Sequence, residues 1–192
     1  MYALHRTSCK QSGTSLIEVM VTLIILLVGL LGLAGLQVQT QRSEMESYQR
    51  VQALVLMEDM AGRIAANRFN AASYVTNTLT PAYLGASDVQ PGVSACAALA
   101  NIPARDQCEW SNALKGASEQ QSGVGATGSM AGGRGCVTYD AASSAVMVSV
   151  AWQGLGDTVA PPASLSCGQN QYGSETKRRV VSKPVKFGCL SC

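Results

Sequence analysis

Apolar positions follow three different rhythms along the chain. From Leu16 to Leu36 the sequence reads LIEVMVTLIILLVGLLGLAGL, with Glu18 as its only charge. About 20 such residues cross a bilayer as a helix. From Gln37 to Arg68 the run turns amphipathic. Tyr48, Val51, Leu54, Ala61, Ile64 and Ala65 recur at three- and four-residue spacings, which predicts one buried helical face. Arg42, Glu46 and Arg50 are spaced by four on another face, as are Asp59 and Arg63, so ion pairs along the helix are expected. Together these signals predict one helix from about Thr14 to Asn67, roughly 80 Å long. Gly29, Gly32 and Gly35 weaken helix propensity in one stretch, where a bend is expected if the helix breaks. Small residues at that spacing also let apolar helices approach closely.

Beyond Pro81 the rhythm shortens. Gly, Ser, Asn and Pro recur every few residues, as in a turn-rich β domain. Val146, Val148 and Val150 alternate with Met147, Ser149 and Ala151, predicting a strand over Ala145–Gln153. Gly135–Asp140 is its expected partner, with Ala-Ala-Ser-Ser turning the chain between them. A third strand is expected near Arg179–Phe187, pushed toward a sheet edge by Pro184. An antiparallel sheet packed on the second half of a long helix gives an α+β class. Lys177-Arg178-Arg179 reads as a solvated strand face, with a subunit contact as the minority reading.

The flanks of the apolar run bear on topology. His5, Arg6 and Lys10 precede it, so the positive-inside rule puts the N-terminus in the cytoplasm and the rest of the chain outside. A secretory signal peptide has an apolar core of only 7–15 residues followed by a small-residue cleavage site. Ala34 and Gly35 make a weak site of that kind, but a carboxylate inside such a core is out of place. Glu18 calls for a positive partner that the run lacks. A free α-amino group on a neighbouring subunit would serve.

Composition narrows the function. The 192 residues are 14% charged with a net charge of +2, too little to suggest nucleic acid, and no basic and aromatic patch is visible. Of seven cysteines, Cys9 precedes the apolar run. The others, Cys96, Cys108, Cys136, Cys167, Cys189 and Cys192, form an even set suited to an oxidising compartment and a disulfide framework. Such a set allows 15 connectivities, of which Cys96 with Cys108 is the best local pairing. Cys189-Leu-Ser-Cys192 is a C-x-x-C, but at the chain end it reads as framework before redox site. The only histidine is His5, ahead of the apolar run, which leaves nothing for Ser-His-Asp, Cys-His or zinc chemistry beyond it. Gly123–Gly128 matches G-x-G-x-x-G without the flanking strand and helix of a dinucleotide site, so a flexible loop is expected. Asp88, Asp106, Glu109, Asp140 and Asp157 show no pairing for acid–base work. No catalytic residue, metal or cofactor is therefore expected, and the chain does not read as an enzyme.

Ser12-Gly13-Thr14-Ser15-Leu16-Ile17-Glu18, followed by Val19-Met20-Val21, resembles the prepilin processing motif of type IV pilins and type II secretion pseudopilins. The resemblance implies cleavage between Gly13 and Thr14 by a prepilin peptidase and N-methylation of Thr14. It also implies that Glu18 pairs with the terminal amine of an adjacent subunit during assembly. Most family members begin with Phe where this chain has Thr14. Gly29–Gln37, Leu56–Asn67, Gly135-Cys136-Val137 and Val148–Gly154 are similar to PilV-type minor pilins. The expected organisation is a leader over 1–13, a transmembrane and assembly segment over 14–36, an amphipathic segment over 37–68 and a periplasmic, disulfide-containing β-rich domain over 69–192. The expected role is that of a structural minor pilin in the type IV pilin fold. It would move from the inner membrane to the pilus, helping to prime assembly near the tip. Implied partners are the prepilin peptidase, other minor pilins, the major pilin and the inner-membrane assembly platform. The alternatives are a type II secretion minor pseudopilin and a membrane-tethered periplasmic binding or redox protein.

Overall fold

The computed structural model describes residue 13 and residues 15–117, 120–121, 125–126, 130–140 and 145–187. The long helix, α1, covers Leu16–Ala66 and runs through Gly29, Gly32 and Gly35 without a break. Intrahelical hydrogen bonds added residue by residue outweigh the propensity cost of three glycines, roughly 1 kcal/mol each. The ends suit the helix dipole, with Glu18 in the first turn and Arg63 in the last. A 3₁₀ segment, Arg68–Tyr74, follows, and Val75 then leaves in an extended conformation.

The chain divides into two compact units, Met1–Glu44 and Met45–Cys192. The division falls further along α1 than the hydropathy boundary at 36, because contacts and not apolarity define it. Every described residue of the first unit is exposed. Two of its hydroxyls bond within the helix. The Thr22 hydroxyl donates to the Val19 carbonyl at 2.8 Å and that of Thr40 to Leu36 at 3.0 Å, as an apolar surround requires.

The second unit holds β1 (Leu84–Gly85), α2 (Val93–Cys96), α3 (Ile102–Leu114), β2 (Gln120–Gln121), β3 (Gly125–Ala126), β4 (Arg134–Asp140), β5 (Ala145–Gln153) and β6 (Arg178–Lys186). β1, β4, β5 and β6 form one antiparallel sheet in that order, and β2 pairs with β3. The three main strands lie within a residue of the expected bounds. Val137 pairs with Val148, and Val150 with Val181, so the alternating valines carry the register. Pro184 sits on β6 at the sheet edge, where its missing N–H is tolerated.

The core joins Ala53, Met57, Met60 and Ile64 of α1 to Val137, Val146, Val148, Val150 and Trp152 of the sheet, with Tyr74, Trp110 and Leu114 closing one end. This face shares only Ala61 and Ile64 with the one the spacing predicts. Gln49, Ala53, Met57, Met60, Ala61 and Ile64 are buried, while Tyr48 is 51% and Val51 58% exposed, and Leu54 and Ala65 also face outward. Apolar residues surround the helix here, so several faces fit the spacing. Tertiary packing selects the one where small Ala53 and flexible Met57 and Met60 meet the sheet.

α3 departs from the β-rich expectation for 69–192. Its start is encoded locally: the Asn101 side chain accepts from the Ala104 N–H at 2.8 Å, and Pro103 sits in the first turn. Pro103, Gln107, Trp110, Ser111 and Leu114 give it a buried face. Trp110 and Leu114 press on Gly135 of β4, where a Cβ would lie 2.7 Å from the Leu114 Cδ1.

Candidate functional site

The N-terminal segment is built from few parts. Gly13 is exposed, with no atom within 4 Å of where a Cβ would stand. Thr14 lies outside the described residues. Ser15 opens the helix by accepting from the Glu18 N–H at 3.0 Å and the Val19 N–H at 3.3 Å. Glu18 therefore stands in the first turn of the helix, within its apolar stretch. Its carboxylate is exposed, and among the described residues no cation lies against it. The helix carrying it has a stretch of mean hydropathy 2.8 with no residue buried, long and apolar enough to cross a membrane. A charge held there is costly until it meets a counter-charge.

Within the second unit, four residues of α1 hold the distal elements through polar contacts. Glu46 does not pair with Arg42 or Arg50, as its spacing suggests. It accepts from the Arg179 guanidinium and from the Leu155 N–H, each at 3.2 Å. The Leu56 carbonyl accepts from the Trp110 indole at 2.8 Å, and Glu58 accepts from Lys183 at 2.6 Å. Arg63 keeps its expected partner Asp59 at 3.1 Å and also reaches Asp106 at 3.0 Å and Glu109 at 2.6 Å on α3. Burial opposes the Arg63 charge, but Glu109, Asp59 and Asp106 outweigh it and raise its pKa above the usual arginine value. Asp106 also accepts from the Tyr74 hydroxyl at 2.5 Å. Burial first, then that bond, push the Tyr74 pKa up to about 12. Carboxylates distant in sequence are thus gathered on one guanidinium, an arrangement that anchors α3 to α1.

The run Lys177-Arg178-Arg179 is not a solvated face. Arg178 is 1% exposed. Its guanidinium donates to Glu175 at 2.6 Å, the Leu165 carbonyl at 2.6 Å and the Cys167 carbonyl at 3.1 Å. A planar five-donor group can satisfy a loop of carbonyls in a way that periodicity does not reveal. The Asn170 N–H donates to Glu175 at 2.7 Å and, ahead of Arg178, holds that carboxyl below its ordinary pKa. Arg134 lies between the rings of Tyr83 and Tyr172, 5.0 Å from each.

Among the described residues two disulfides brace the unit. Cys96–Cys108 clips α2 to α3, and Cys136–Cys167 ties β4 to the loop before β6. Cys189 and Cys192 lie outside the described residues, as do most of residues 123–128. Among the described residues no group of three His, Cys, Asp or Glu side chains is placed to hold a metal.

The chain matches the family described as the type IV pilin Tt1218 over residues 35–121 and the prokaryotic N-terminal methylation motif over residues 8–34. The two matches adjoin, and with the fold they support a type IV pilin or pseudopilin. The architecture, a long N-terminal helix with a small antiparallel four-stranded sheet, is the type IV pilin fold. That family implies a structural, non-enzymatic protein. The methylation motif implies processing by a prepilin peptidase and assembly with other pilins, and the apolar helix is consistent with a membrane-anchored pilin. No curated protein and no solved structure gave a significant match.

Proposed function

We propose that this chain is a PilV-type minor pilin that enters a type IV pilus and helps to prime its assembly with other minor pilins near the tip. The observation carrying this reading is Glu18, the one carboxylate in the apolar run Leu16–Leu36, five residues after Gly13. Before assembly the N-terminus faces the cytoplasm and residues 69–192 stand in the periplasm. Cleavage between Gly13 and Thr14 creates an amine, which the peptidase methylates. An amine of this kind on one subunit neutralises Glu18 of its neighbour, so membrane helices pack side by side without an unpaired charge. The disulfides Cys96–Cys108 and Cys136–Cys167 suit a domain working in an oxidising space.

Mass spectrometry of the mature protein tests the processing step, with an N-methylated Thr14 terminus expected. A terminus at Met1 or after Gly35 would overturn it. Deleting the gene should lower surface piliation and leave type II secretion intact; the opposite pattern would transfer the protein to the secretion apparatus.

A further inference from the structure

A cleft of about 330 Å³ opens beside the Cys136–Cys167 disulfide. Six polar side chains line it: Asn77, Tyr83, Thr138, Ser166, Gln169 and Gln171. They offer both donors and acceptors, and no Asp, Glu, Lys or Arg is among the lining residues. Tyr83 donates to the Gln171 amide oxygen at 3.3 Å. Among the described residues, the side chains of Asn77, Thr138, Ser166 and Gln169 make no hydrogen bond within the protein.

The wall of the cleft is held in shape. The disulfide fixes Cys167 to β4, and Arg178 clasps the carbonyls of Leu165 and Cys167. Gly168 has φ +66°, and a Cβ there would lie 2.9 Å from both Ala151 and Tyr172, so the backbone packs closer than any other residue permits. A preformed wall lowers the ordering cost of binding.

We propose that this cleft binds a neutral saccharide. An ionic ligand would find no counter-charge in the lining. An apolar one would strip water from the four side chains that have no hydrogen bond within the protein and give them none in return. A hydroxyl-rich neutral molecule matches the mixture of donors and acceptors, and the volume is at the small end of ligand pockets, that of one or two sugar rings. An extended peptide fits less well, because strand addition needs a free backbone edge. Beside the cleft that edge is taken: the Thr76 N–H donates to the Val137 carbonyl at 2.8 Å, and the Val137 N–H donates to the Thr76 hydroxyl at 3.1 Å.

The test uses the full chain in phospholipid nanodiscs, since alkyl-glycoside detergents would compete. Galactose, N-acetylglucosamine and lactose are titrated by saturation-transfer NMR and calorimetry, beside N-acetylneuraminic acid and trialanine. A neutral sugar should bind with a Kd in the millimolar range or tighter. Asn77→Ala and Gln169→Ala should each weaken it by about 3- to 10-fold. Both side chains are exposed, so thermal unfolding of these variants should match the parent, separating loss of binding from loss of fold. The proposal is overturned if no neutral sugar binds up to about 10 mM. Tighter binding of the acidic sugar or the tripeptide, or unchanged affinity in both variants, would overturn it as well.

Discussion

At Arg63 one guanidinium meets three carboxylates, two of them on a different helix, and half-buried Arg63 has no water-rich alternative for all its donors. Removing it leaves Asp59, Asp106 and Glu109 facing one another. Arg63→Ala should therefore destabilise the second unit by about 1–3 kcal/mol. At about 2–4 °C per kcal/mol the melting point should fall by several degrees in calorimetry. Arg63→Lys should recover only part of this, because a point charge cannot serve three acceptors as the planar fork does. Tyr74 makes a pH prediction of definite sign. Its folded pKa, about 12, lies above the ordinary value of 10.0, so folding favours the protonated phenol. That stability is complete below about pH 10 and is lost as pH rises toward 12. Chemical unfolding at pH 9 and pH 11.5 should show the decline, and Tyr74→Phe should flatten it.

At the scale of elements, α3 and the loop before β6 are each attached at several points. Gly135→Ala places a methyl against Trp110 and Leu114, and neither can retreat from a filled core. A loss of about 1–3 kcal/mol is expected by thermal unfolding, from overpacking alone. The Cys136–Cys167 bridge closes a separation of 31 residues. Replacing both cysteines by serine should cost about 3–4 kcal/mol through the entropy returned to the unfolded chain. Protease cleavage between β5 and β6 should then rise, which limited proteolysis with mass mapping will detect. The strands were legible because alternation of period two needs only local residues. α3 also left a local mark in Asn101 and Pro103, but a turn-rich composition around it hid a helix of 13 residues.

For the whole molecule, the decisive expectation concerns Glu18. If it neutralises an amine of a neighbouring subunit, Glu18→Ala should reach the membrane at the parent level yet enter pili about tenfold less well, as immunoblots of sheared pili would show. Equal incorporation would remove Glu18 from assembly. Glu46 shows why such roles are hard to read from spacing. It stands four residues from both Arg42 and Arg50, yet its carboxylate serves Arg179 and the Leu155 N–H. Spacing places two side chains within reach of each other; it cannot report a third that the fold brings closer.

The sequence by itself determined the features that rest on neighbouring residues. These are the long helix, the apolar run in it with its one acid, the processing motif before it, the three main strands and the edge position of Pro184. Each depends on periodicity, hydropathy or missing donors within a few positions. Only the tertiary structure decided which face of α1 is buried, that Arg178 lies inside, and that Asp59, Asp106 and Glu109 share Arg63. It also decided that Cys136 meets Cys167 beside a polar cleft. Those outcomes depend on groups far apart in the chain competing for the same partner, and local sequence carries no measure of that competition.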